Sequence, residues 1–180
     1  MESLGSVEPS LVPRVASHFD SRGIFSRLVD SPDDFPLQQV NTSINLQKSI
    51  FRGLHLLRGK HSENKKITVL MGEIIDFALN VDYNSANYGK IYEYKLNQKS
   101  DSLLIPPLHA HGFLTLSEIT VLAYQVDKPY VPHADVGVNI RGLGLDERIV
   151  SRISKISDKD LALPEFNRDC DMEFSQCKFC

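Results

Sequence analysis

The chain has 180 residues, 42% of them hydrophobic and 24% charged, with a formal net charge of −3. Such proportions belong to a globular protein with a sizeable core, and they provide no overall basic field for nucleic acid or an anionic membrane. No apolar run approaches the ~18 residues of a membrane span, and the start, Met1-Glu2-Ser3-Leu4-Gly5, carries neither a basic nor an apolar leader region; the cytoplasm is therefore the expected compartment.

Along the chain the hydrophobic period is mostly two, the signature of strands. Ser49–His55 reads as a strand interrupted by Gly53, and Ile67–Met71 as another. In Glu73–Asp82, Ile75, Phe77, Leu79 and Val81 alternate with Ile74, Asp76, Ala78, Asn80 and Asp82, giving one apolar and one mixed face. Ile91–Leu96, Leu103–Ile105, Gly112–Leu116 and Ile119–Val126 are further β-rich runs. Turn chemistry separates them at Met71-Gly72, at Asp82-Tyr83-Asn84-Ser85, over 97–101 and at the doubled proline 106–107. Ser157-Asp158-Lys159-Asp160-Leu161 offers a helix N-cap and a turn or two before Pro164. Short strands at this spacing predict an all-β sandwich, jelly roll or barrel. One domain is expected over residues 11–165, with a flexible start over 1–10 and a flexible tail over 166–180. That tail holds Cys170, Cys177 and Cys180; Cys177-x-x-Cys180 has half the spacing of a zinc site, but a reduced tail is the expectation.

Several side chains are chemically suggestive. Strict alternation would send Arg52 and His55 to opposite faces, but a bulge at Gly53 would let both reach one cavity. From the residues alone, His55 is open between a proton-abstracting base and a hydrogen-bonded surface histidine. His109 and His111 share parity with Phe113 and invite a metal reading together with His55, His61 and Glu63, although their spacing does not match the usual metal-cupin pattern. One of Lys65 and Lys66 must face inward, where a lysine suits an oxyanion. Tyr124 and Tyr130 are candidates for packing or proton donation. Asp146, in the apolar setting Gly142-Leu143-Gly144-Leu145, is suited to orient an imidazole.

Taken in order, a set of short runs resembles one family: Asp20-Ser21-Arg22-Gly23-Ile24-Phe25, Gln39-Val40-Asn41, Phe51-Arg52-Gly53-Leu54-His55, Gly72-Glu73-Ile74-Ile75-Asp76, His109-Ala110-His111-Gly112-Phe113-Leu114, Tyr124 with Tyr130-Val131-Pro132, Gly144-Leu145-Asp146 and Ser157-Asp158-Lys159-Asp160. They are similar to the dTDP-4-dehydrorhamnose 3,5-epimerases and related nucleotide-sugar epimerases, over about residues 14–165. The resemblance implies a cupin-type β-jelly roll, a nucleotide-diphosphate sugar substrate, and neither metal nor cofactor. It implies His55 as the base, Asp146 as the carboxylate holding it, Tyr124 as the proton donor on the opposite face of the sugar, and Lys65 near the C4 oxygen. It further implies substrate contacts from Gln39, Asn41, Arg52, His111 and Tyr130. Arg22 and Phe25 match residues that relatives insert into a neighbouring subunit's site, so a homodimer is implied as well.

The implied reaction inverts C3, C5 or both in a 4-keto-6-deoxy nucleotide sugar. Three departures bear on its detail: Arg27 where many relatives carry Glu, Glu147-Arg148 in place of Trp-Pro, and Pro107-Leu108-His109 in place of Glu-Gly-Phe. The competing readings are a 3-epimerase or a 3,4-ketoisomerase on a related sugar, and a sugar-binding cupin without activity.

Overall fold

The computed structural model describes residues 7–14, 16–29, 35–145 and 147–167. Asp146 and all three cysteines lie outside the described residues. The strands are β1 (Ser10–Val12), β2 (Ala16–Asp20), β3 (Gly23–Arg27), β4 (Gln39–Asn45), β5 (Phe51–Leu57), β6 (Lys65–Met71), β7 (Glu73–Asn80), β8 (Ile91–Asn97), β9 (Ser102–Ile105), β10 (His109–Thr115), β11 (Thr120–Val126) and β12 (Asp135–Gly137). Two short helices follow, α1 (Glu147–Val150) and α2 (Asp158–Leu161). Among the described residues, no helix is long and apolar enough to cross a membrane.

Two five-stranded antiparallel sheets form the body, in the orders β1-β9-β6-β11-β4 and β12-β5-β10-β7-β8, and β2–β3 is a separate hairpin. This is a jelly roll of the cupin type, the expected class. The elements that period-two reading did not find are short or exposed: β1, β12, the hairpin, and β4, whose outward residues Val40 and Ile44 are exposed at a sheet edge.

Both faces of β7 are buried, and each serves a different layer. Its apolar face sends Phe77 and Leu79 into a cluster with Phe51, Leu54, Leu56, Ala110, Leu114, Val138 and Ile140, covered by Leu145, Ile149, Ile153 and Ile156 of the C-terminal segment. Its mixed face turns Ile74 and Ala78 into the space between the sheets, against Ile67, Val69, Leu96, Leu103, Phe113 and Leu122. Asp76 lies on this second face and is completely buried, so an ionisable carboxyl has been placed inside the roll.

The C-terminal segment is tied down at both ends. Lys155 bridges to Ile50 in parallel, and Asn139 donates its side-chain amide to Leu161 O at 2.6 Å while its backbone N–H donates to Pro164 O at 2.7 Å. Ser157 caps α2, accepting from the Asp160 N–H at 3.1 Å, which sets Asp160 at the third helical position. The packing of this turn against β5 carries Asp160 to the rim of the roll.

Candidate active site

A cavity of about 500 Å³ opens between the two sheets; its walls come from β4, β6 and β11 on one side and from β5 and β10 on the other. His55, Arg52, Lys65, Tyr124, His111, Gln39, Asn41 and Tyr130 all line it. Arg52 and His55 reach it together because the β5–β10 register shifts: His111 pairs with His55 but Phe113 with Arg52. Two residues of β10 thus span three of β5, and the extra residue is the bulge expected at Gly53. Glycine is required there, because φ is +111° and a Cβ would lie 2.6 Å from His111 O.

His55 is half-buried and its Nε2 lies 2.9 Å from Asp160 Oδ1. The other Asp160 oxygen accepts the Gly53 backbone N–H at 3.2 Å, so one carboxylate orders both the bulge and the imidazole. Asp135 stands on the other flank, its Oδ1 4.0 Å from His55 Nδ1. Among the described residues, the carboxylate that meets His55 Nε2 is thus Asp160; Asp146, which the resemblance named for that place, lies outside the described residues. In the sequence, Ser157-Asp158-Lys159-Asp160 reads as a helix start and as one of the family-like runs, with no chemical role for Asp160. The available signal was the Ser157 cap, which fixes Asp160 at the third position of the turn.

Across the cavity, on the other sheet, Tyr124 packs edge-on against His111 at 6.0 Å between ring centroids and against Phe113 at 6.5 Å. Burial pushes its phenol well above the ordinary tyrosine range; the nearby Asp76 charge adds to this, and Ser43 and Arg52 oppose it. The phenol therefore keeps its proton at neutral pH. His111 Nε2 is 2.9 Å from Asp76 Oδ2, both almost wholly buried. Burial also raises the Asp76 carboxyl, with His111 and then Lys65 acting against it.

Lys65 is the inward-facing lysine. Its Nζ lies 3.2 Å from Glu63 Oε1 and 3.4 Å from His55 O. Lys66 points to the opposite side of the strand, beside Arg14 and Thr68. Arg52, which lines the cavity, is held by Nε donating to Asn45 Oδ1 at 2.7 Å. At the cavity mouth Tyr130 donates to Asp135 Oδ2 at 3.1 Å, and Lys159 approaches the same oxygen at 3.4 Å.

The histidines of the metal reading do not converge. His61 stacks edge-on with His133, while His109 sits behind the cavity against Tyr92, with Nδ1 3.0 Å from Pro107 O. Arg22 and Phe25 are not brought to this cavity. They line a separate hollow of about 500 Å³ on the β2–β3 hairpin, where Arg22 forms a 2.6 Å ion pair with Asp20.

The family model described as dTDP-4-dehydrorhamnose 3,5-epimerase matches residues 7–168. The chain belongs to that family. It is 33% identical to the dTDP-4-dehydrorhamnose 3,5-epimerase of Sinorhizobium fredii over 144 residues, which cover 76% of this chain and 73% of that one. The crystal structure of the enzyme from Elizabethkingia anophelis superposes with a TM-score of 0.71 at 29% identity, covering 88% of both chains. That of the Bacillus anthracis enzyme, with TDP and PPi bound, superposes with a TM-score of 0.73 at 28% identity, covering 88% of this chain and 91% of that one. As a member of the dTDP-4-dehydrorhamnose 3,5-epimerase family, the chain is an isomerase that acts on nucleotide sugars in deoxysugar biosynthesis.

For an epimerase the arrangement has a simple logic. Inverting a carbon requires a base on one face and an acid on the other. β5 places the His55 imidazole on one wall, with the Asp160 carboxylate of α2 against it, and β11 places a neutral phenol on the facing sheet. Glu63, Lys159 and Asp160 also line the cavity, and Asp76 and Asp135 stand against its histidines; no motif in the sequence marks any of the five for this chemistry.

Proposed function

We propose that this epimerase inverts C3, C5 or both in a dTDP-4-keto-6-deoxyhexose, with His55 as base, Asp160 as its orienting carboxylate, Lys65 at the C4 oxygen and Tyr124 as the returning acid. The single observation that carries the reading is the opposition of the His55–Asp160 pair and the buried Tyr124 phenol across one cavity. The ketone at C4 acidifies the adjacent C–H bonds. His55 accepts the proton, and the imidazolium formed lies between Asp160 at 2.9 Å and Asp135 at 4.0 Å. The enolate oxygen is stabilised by the Lys65 ammonium in a partly dry pocket. Tyr124 then delivers a proton to the opposite face, and no step calls for a redox change.

Arg52 and Lys159 are the cations available to the diphosphate at the open end, with Gln39, Asn41 and His111 on the sugar and Tyr130 at the nucleotide. The TDP and PPi in the Bacillus anthracis structure support a thymidine nucleotide as the carrier. We place the enzyme in the cytoplasm, where nucleotide sugars are assembled. A homodimer is part of the same proposal. The hairpin exposes Phe19, Ile24 and Phe25, and the edge strand β4 exposes Val40 and Ile44, with Leu46 just beyond it; these apolar side chains suit a surface that a second copy covers.

Incubation with dTDP-4-keto-6-deoxyglucose in deuterated water tests the reading. Deuterium entering at C3 and C5 is the expected result, and entry at C3 alone would restrict the reaction to a single centre. Absence of exchange with any 4-keto nucleotide sugar would defeat the proposal.

A further inference from the structure

We infer that Glu63 is a positioning residue that aims the Lys65 ammonium at the reacting oxygen, an inference that rests on the epimerase reading above. The local backbone dictates the geometry. Residues two apart on an extended chain point to the same side, so Glu63 and Lys65 face one way and Asn64 the other. Asn64 is clamped to Asp127 at the end of β11: its backbone N–H donates to Oδ1 at 2.8 Å and its side-chain amide to Oδ2 at 2.7 Å. Asp127 N–H returns a bond to Asn64 O at 3.4 Å. That clamp fixes the entry of β6, and both flanking side chains are thereby turned into the cavity, which each of them lines.

The two are almost enclosed, with side-chain exposures of 10% for Glu63 and 15% for Lys65, and they meet at 3.2 Å. An ammonium has three donors. One goes to Glu63 Oε1 and one to the His55 carbonyl at 3.4 Å, leaving the third for the cavity. Lysine is a flexible four-carbon stem carrying a point charge, and without a fixed acceptor it has many rotamers to choose from. Glu63 selects one of them. It also links the two halves of the site, since the same ammonium leans on the backbone of the residue that bears the base. Glu63 itself is not needed at the sugar; it acts through Lys65.

The test pairs a substrate-free measurement with a kinetic one. Lys65 in the intact protein is acetylated with acetic anhydride and its labelling followed by peptide mass spectrometry, with Lys95 as internal standard. Glu63→Gln should raise Lys65 labelling at least threefold, because the ammonium loses its partner. In the deuterium-exchange assay the same variant should lose about tenfold in kcat with KM changed less than twofold, since the contact matters most when the C4 oxygen becomes anionic. Combined with Lys65→Met, Glu63→Gln should cause no further loss. Unchanged labelling overturns the pairing. Unchanged kcat, a loss confined to KM, or an additive loss in the double variant overturns the positioning role. Glu63→Ala provides the same readouts if Glu63→Gln does not fold. A wild-type chain that exchanges no deuterium with any 4-keto sugar would instead sink the epimerase reading, and the labelling would still decide the pairing.

Discussion

Replacing Asp160 with Asn tests the central pair directly. The substitution keeps the shape and removes the charge. A hydrogen bond to a charged partner contributes about 1.5–3 kcal/mol, and two unit charges about 4 Å apart at an effective dielectric near 20 interact by roughly 4 kcal/mol. Part of that is recovered, because the Asn carbonyl can still accept from Nε2–H. A net loss of about 2.7 kcal/mol in the step that forms imidazolium corresponds to roughly 100-fold in rate. A smaller structural cost accompanies it. Asp160 serves both His55 at 2.9 Å and the Gly53 N–H at 3.2 Å with separate oxygens, and Asn has one acceptor oxygen for two donors. One weakened bond costs about 1 kcal/mol, visible as a fall of a few degrees in Tm. The assay is deuterium incorporation from solvent at saturating substrate, on protein shown folded by its melt, with Asp146→Asn measured alongside. An Asp160→Asn variant within threefold of wild type would refute the reasoning, above all if Asp146→Asn carried the loss instead.

Tyr124→Phe should slow formation of the inverted product by at least tenfold while exchange of the substrate C–H falls far less, because the phenol acts after the proton has been removed; equal losses in the two readouts, followed by NMR in deuterated water, would contradict that order. Gly53→Ala forces a Cβ to 2.6 Å from His111 O at φ +111° and should destabilise by about 2–4 kcal/mol, measured by urea denaturation. Stability should also depend on pH through His109, which is 5% exposed and whose imidazole burial holds below its ordinary value. The unfolded chain takes up a proton below about pH 6.5, whereas the folded one resists until lower pH. Stability is therefore fully present above about pH 6.5 and falls as the pH drops toward the folded value; His109→Phe, which keeps a ring against Tyr92, should flatten that slope in melts between pH 7 and pH 5.

Much of the fold is legible in local pattern because the middle strands obey a period of two. The alternation in Glu73–Asp82 marks a strand with an apolar and a mixed face, and the structure uses the mixed face to put Asp76 beside His111 inside the roll. Gly53 is legible for the same reason: a glycine between Arg52 and His55 breaks the alternation, and the register shift brings both side chains to one cavity. The hairpin and β4 are harder to read, because their exposed apolar residues blur the contrast between faces.

The β class, the family, and the residues proposed here as base, acid and enolate-stabilising lysine are all written in short contiguous runs. Which carboxylate meets His55 is settled by packing between distant segments. Asp160 is 105 residues from its partner, and no periodicity reports a contact made by folding a capped turn back onto β5. The same holds for the opposition of His55 and Tyr124, which exists because two sheets face each other, and for Glu63, whose role depends on a clamp between Asn64 and Asp127, the residue that follows β11. Short-range physics sets the strands and their faces. Which charged groups end up within 3 Å of one another depends on how distant segments pack.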